Sequence, residues 1–174
     1  MEAQPHFIEG VLYLHSFEYE QARASFRRAQ QIDNDFVMAY WGETMTYHQS
    51  IWGVQDQEAG KAVLRRLSST PELKAPTPRE KAYVRATELL FGTVKESKDR
   101  SKPEREILYR EAMRQLHEAY PDDYEAASFY GLSILGAGKK NRDFVTYMRA
   151  AGILIEVWDA NRMHPGAAHY HPFI

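Results

Sequence analysis

Residues 10–29 read GVLYLHSFEYEQARASFRRA, and the alternation of small and large side chains in this stretch decides the fold. Apolar residues recur at helical spacing, not at the period of two that a strand requires. Gly10 lets a second helix lie close against the first, and Tyr13 fills the gap beside it. Ala22 and Ala29 then form the close-approach side of the second helix, and Phe26 is the knob that the neighbouring hairpin buries. Ala22 is therefore expected to be buried. A hairpin of this kind leaves an apolar stripe uncovered, so further hairpins must stack on it.

The rest of the chain reads as helix after helix. The first two helices are predicted over residues 5–15 and 19–32, with the Asp33, Asn34 and Asp35 turn behind them. A third starts near Phe36, carries Ala39, Tyr40, Trp41 and Tyr47, and is interrupted at residues 50–55. The fourth covers 57–67, with Ala59, Val63 and Leu67 on one face, and the proline-rich residues 70–78 form the clearest linker. Ala82, Ala86 and Leu89 give the stripe of the fifth helix, and residues 93–102 form a polar loop. Pro103 suits the first turn of the sixth, whose inner face reads Leu108, Ala112, Leu116 and Ala119. The seventh spans 124–135 and ends at Gly136 and Gly138. The eighth repeats Phe144, Met148, Ala151, Ile155 and Trp158 along one stripe, and His164 and Pro165 open a ninth.

Composition narrows the function classes. A net charge of −2 offers no electrostatic footprint for nucleic acid or an anionic membrane. The chain has no cysteine, which excludes disulfides, thiolate metal sites and cysteine nucleophiles. No apolar run reaches membrane-spanning length, and the first ten residues lack a secretion signal, so a cytoplasmic location is expected.

The spacings of Gly10, Tyr13, Ala22, Phe26 and Ala29 resemble those of the 34-residue tetratricopeptide (TPR) repeat. Residues 19–42, YEQARASFRRAQQIDNDFVMAYWG, and 163–170, MHPGAAHY, are further similar to a group of bacterial TPR proteins. Those share a MAYWG-like segment and a later HPGAxHY segment, and they supply no established activity. The resemblance implies an all-α, right-handed superhelix of about eight to nine antiparallel helices with irregular middle repeats. It covers most of residues 1–174 as a single domain and only the front of the group's usual length. The chain departs from the pattern after Tyr170, where Pro172 would interrupt the helix that the group continues.

In such a superhelix the first helix of each hairpin lines the concave face. The register puts Phe7, Val11, Leu14 and His15 there, beside Met38, Trp41, Met45, His48 and Gln49. This aromatic and methionine-rich lining suits a protein or peptide segment, and it makes a non-catalytic binding scaffold without a cofactor the preferred function. Trp41 is then partly accessible and Trp158 buried. The competing reading makes Trp41 and Met45 ordinary core. A second function class uses the histidines His164, His169 and His171 as metal ligands with partners from other helices, although His164 and His171 stand two helical turns apart. GAGKK at 136–140 lacks the spacing of a phosphate loop and reads as helix termination. The apolar stripe through Ile155 and Trp158 also predicts a homodimer if Tyr170 and Phe173 cover it incompletely.

Overall fold

The computed structural model describes residues 2–137 and 144–170. Among them are ten helices and one short β-ribbon. In chain order these are α1 (Ala3–His15), α2 (Tyr19–Ile32), α3 (Val37–Met45), β1 (His48–Gln49), β2 (Val54–Gln55) and α4 (Gln57–Leu67). There follow α5 (Pro71–Lys74), α6 (Pro78–Phe91), α7 (Lys102–Ala119), α8 (Tyr124–Ala137), α9 (Phe144–Ala160) and α10 (Pro165–Tyr170). The all-α class expected from the sequence is what forms. The interruption at 50–55 becomes the turn of the antiparallel ribbon, which pairs His48 with Gln55 and Gln49 with Val54. The linker at 70–78 holds the single turn of α5.

Local chemistry sets the helix ends. Thr77 accepts the Glu80 backbone N–H at 3.2 Å while Glu80 accepts that of Thr77 at 3.2 Å, a reciprocal cap, with Pro78 behind it. Gly92 closes the same helix in the left-handed region at φ +73°. Asp56 accepts the Ala59 N–H at 3.0 Å to start α4, and Asp123 accepts that of Ala126 at 3.2 Å to start α8.

One packing device recurs along the molecule. The Phe26 ring lies between α1 and α3, where a Cβ on Gly10 would stand 2.7 Å from it and one on Gly42 only 2.3 Å. Gly60 receives Phe91 in the same way at 2.1 Å, and Gly131 receives Leu154 at 2.9 Å. Each notch brings a large side chain of one helix against the backbone of another, which converts a glycine's missing Cβ into interhelical contact. Ala22, Phe26 and Ala29 are fully buried, as the opening stretch requires.

Helices pack mainly on their neighbours in sequence, and α3 also meets α6. The longest return along the chain is made by α10, which meets α1 and α8 as well as α9. The first and last described helices therefore touch. A residue in an unfavourable conformation packs beside that contact: Phe17, in the α1–α2 turn, has φ +62°. Its ring stacks on Tyr170 at 5.4 Å and meets Trp52 edge-on at 5.0 Å.

Three expected faces are corrected. On α9 the buried residues are Ala150, Ala151, Leu154 and Val157, while Phe144, Met148 and Ile155 are exposed and Trp158 is half-buried. The helix is apolar on more than one side, and the side that packs on α8 is the one carrying small alanines. On α7 the buried set is Arg105, Tyr109, Met113 and Leu116, not Leu108, Ala112 and Ala119. There the Arg105 guanidinium donates to the backbone carbonyls of Leu90 and Arg100 and to Gln55, which satisfies it inside the fold. On α6 Tyr83 and Leu90 are buried with Ala86, and Ala82 and Leu89 are half-buried.

Candidate functional site: a histidine–glutamate cluster at the end of an apolar groove

Two devices converge on Glu125. Asp123 accepts from Arg79 Nε at 2.7 Å and from the Tyr83 hydroxyl at 3.0 Å. This ties the start of α8 to α6 and sets Glu125 in the first turn of α8, where the helix N-terminus favours a carboxylate. His15, the last residue of α1, reaches the same place from the other side. It is fully buried, its ring stacked on Phe129 at 4.8 Å.

His15 Nε2 lies 2.5 Å from Glu125 Oε2, and its Nδ1 lies 2.7 Å from the Tyr170 hydroxyl. His164 stands at the N-terminal boundary of α10, where its Nδ1 accepts the Ala167 N–H at 3.3 Å. Its Nε2 comes within 3.2 Å of Glu125 Oε1, an ion-pair distance, but off the line of a hydrogen bond. That nitrogen is buried and has no hydrogen-bond partner. One donor atom each from His15, Glu125 and His164 lies within 4.8 Å of the others. Among the described residues no other three histidine, aspartate or glutamate side chains converge this way.

The HPGAAHY segment has a physical account here. His164 caps the helix, Pro165 fits its first turn, and Gly166 leaves room for His15: a Cβ there would be 2.5 Å from His15 Nδ1. Ala167 packs with Ala127 and Val157, and Tyr170 is fully buried. Burial drives the Tyr170 phenol well above its ordinary pKa, so it stays neutral. Burial alone would raise the Glu125 carboxyl, but the two imidazoles against it prevail and hold it well below the carboxylate range.

Glu125 also borders a groove of about 290 Å³ between α1, α3 and α6. Phe7, Val11, Met38 and Trp41 line it, together with Ile8, Leu12 and Phe36. The expected groove is otherwise corrected. Trp41 is only 4% exposed, wedged edge-on against Tyr83 at 5.2 Å and Phe129 at 5.3 Å, so it forms a floor. Met45 and His48 are buried and line a separate crevice of about 10 Å³, too small for a ligand. Gln49 sits on the β-ribbon, and His15 lies behind Glu125 in the cluster.

Among the described residues His164 and His169 do not share a ligand cluster. His169 is exposed on α10 with its ring edge at Phe17, and His171 lies outside the described residues. His164 instead meets His15 and Glu125. Sequence reasoning missed Glu125, because His15 and Glu125 are 110 positions apart and no spacing rule connects them. The one available signal was the HPG run, whose glycine has no helical purpose of its own.

No family model, curated protein or solved structure matches this chain. Among the described residues no helix is long and apolar enough to cross a membrane.

Proposed function

We propose that this chain is a TPR-like helical scaffold that holds an apolar peptide segment of another protein in the groove between α1, α3 and α6. The observation that carries the reading is the pair Ile8 and Leu12, which are 49% and 48% exposed on one edge of that groove. Two large apolar side chains at i and i+4 on a helix edge form half of a helix-in-groove contact, with Phe7, Val11 and Phe36 behind them. Charge selects the occupant. Glu80 borders the groove from an exposed helix start, while Arg79 beside it is already paired with Asp123 and Glu125 with the two imidazoles. An apolar segment carrying a basic residue is the complement.

Peptide display selected against the intact chain tests this. Enriched sequences should pair spaced apolar residues with a lysine or arginine, and should lose binding to the Ile8→Glu, Leu12→Glu double variant. Both positions are about half exposed, so the variant should keep its fold, which circular dichroism checks. Failure to enrich any sequence that depends on Ile8 and Leu12 overturns the reading.

A second reading rests on α9, where Phe144, Met148 and Ile155 are 75%, 52% and 43% exposed. A second copy is the complement proposed for that stripe. Sedimentation should then show a concentration-dependent dimer that the Met148→Lys, Ile155→Lys variant abolishes. A monomer at every concentration removes this second reading.

A further inference from the structure

One ligand atom each from His15, Glu125 and His164 faces a common point inside the fold, and that convergence points to a ligand. We propose that His15, Glu125 and His164 bind a divalent transition-metal ion, with zinc the best match. The donor set is two imidazoles and one carboxylate, drawn from α1, from α8 and from the residue that starts α10. Nitrogen donors of this type suit zinc and its neighbours, whereas calcium and magnesium take oxygen cages of six or more ligands. Three protein ligands leave a fourth position, the pattern of zinc sites that bind water or a ligand atom. Glu125 borders the groove and its side chain is 37% exposed, so the cluster is reached from that side.

Three features serve such an ion. The Tyr170 hydroxyl, 2.7 Å from His15 Nδ1, fixes the ring and leaves Nε2 for the metal. Gly166 keeps the space that His15 occupies. His164 Nε2 is buried, makes no aligned hydrogen bond and faces Glu125 Oε1 at 3.2 Å. Loading has two structural consequences. His15 Nε2 and Glu125 Oε2, 2.5 Å apart, must part to the roughly 3.3 Å that two ligands of a tetrahedral ion keep. The neutral His164 ring must carry its proton on Nδ1, so its long 3.3 Å contact with the Ala167 N–H is given up.

The cluster shares Glu125 with the border of the groove, but Ile8 and Leu12 take no part in it, so their variant separates the two readings. Protein stripped with a chelator is titrated with Zn²⁺ by calorimetry and with Co²⁺ by visible absorbance. We expect one equivalent per chain, tetrahedral cobalt bands and a shift of the Ala167 amide resonance. His164→Gln and Glu125→Gln should each weaken binding by at least ~100-fold, and Tyr170→Phe by roughly tenfold. His169→Gln, an exposed histidine on the same helix, should change nothing, and neither should the Ile8→Glu, Leu12→Glu variant. Circular dichroism checks each variant's fold. If a cluster variant fails to fold, the wild-type cobalt spectrum and the Ala167 shift decide. Absence of stoichiometric binding, retention of binding in folded His164→Gln and Glu125→Gln, or its loss in His169→Gln overturns the proposal.

Discussion

Glu43 and Glu88 are both buried carboxyl side chains, and their neighbours give them opposite behaviour. Burial would raise the Glu43 carboxyl, but Arg66, Arg27 and Gln30 donate to it and hold it below its ordinary value of 4.5. Its stabilising effect is thus present above pH 4.5 and is lost as pH falls below that. Arg27 and Arg66 are themselves about half exposed, so removing the carboxylate leaves cations that water can reclaim. Glu43→Gln should therefore cost about 1–3 kcal/mol at pH 7, less than a fully buried pair would lose, and should flatten the acid limb of a denaturation series. Glu88 has no such set of cations. Burial lifts it to about 7, so the folded chain binds a proton that the unfolded chain releases between pH 4.5 and 7. Stability on its account falls across that window, by about 1–3 kcal/mol once screening by solvent and Arg85 is allowed for. Glu88→Gln should remove the fall, which urea titrations at pH 5 and pH 8 would measure.

At the scale of elements, glycines with and without a neighbour behave differently. A Cβ on Gly60 would stand 2.1 Å from the Phe91 ring, whereas one on Gly152 of α9 meets nothing within 4 Å. Gly60→Ala must push α4 from α6 and should destabilise by about 1–3 kcal/mol. Gly152→Ala gains helix propensity with no clash and should stabilise by about 0.5–1 kcal/mol. Thermal denaturation of the two variants checks both signs. The same contrast explains α9, where periodicity picked Phe144, Met148 and Ile155 as the inner stripe. Apolar residues on more than one side make the moment ambiguous, and the Gly131 notch that receives Leu154 is what selects the face.

The whole molecule is held closed by α10, whose Tyr170 is fully buried between Phe17 and His15. Tyr170→Ala should cost about 3–5 kcal/mol, as truncation of a large buried ring does. Its signature should be regional. Hydrogen exchange should quicken in α10, in the last turn of α1 and in the first turn of α8 together, while α4 and α5 keep their protection. Uniform loss of protection would show that α10 is not a separate closing element.

Sequence alone determined the helices and their first contacts. Small and large residues at helical spacing over 10–29 specify a close hairpin by sterics, and Ala22, Phe26 and Ala29 are buried as that spacing demands. Caps and prolines likewise mark helix starts, because the groups that satisfy a helix terminus lie within four residues of it. The groove was half legible. Phe7, Val11, Met38 and Trp41 follow from register within two neighbouring helices, but the seal over Trp41 comes from Tyr83 and Phe129, far along the chain. The cluster was not legible, since His15, Glu125 and His164 meet only after α10 folds back onto α1 and α8. Only the tertiary structure decided that return, because packing energy between distant helices depends on which faces meet in space and leaves no period in the chain.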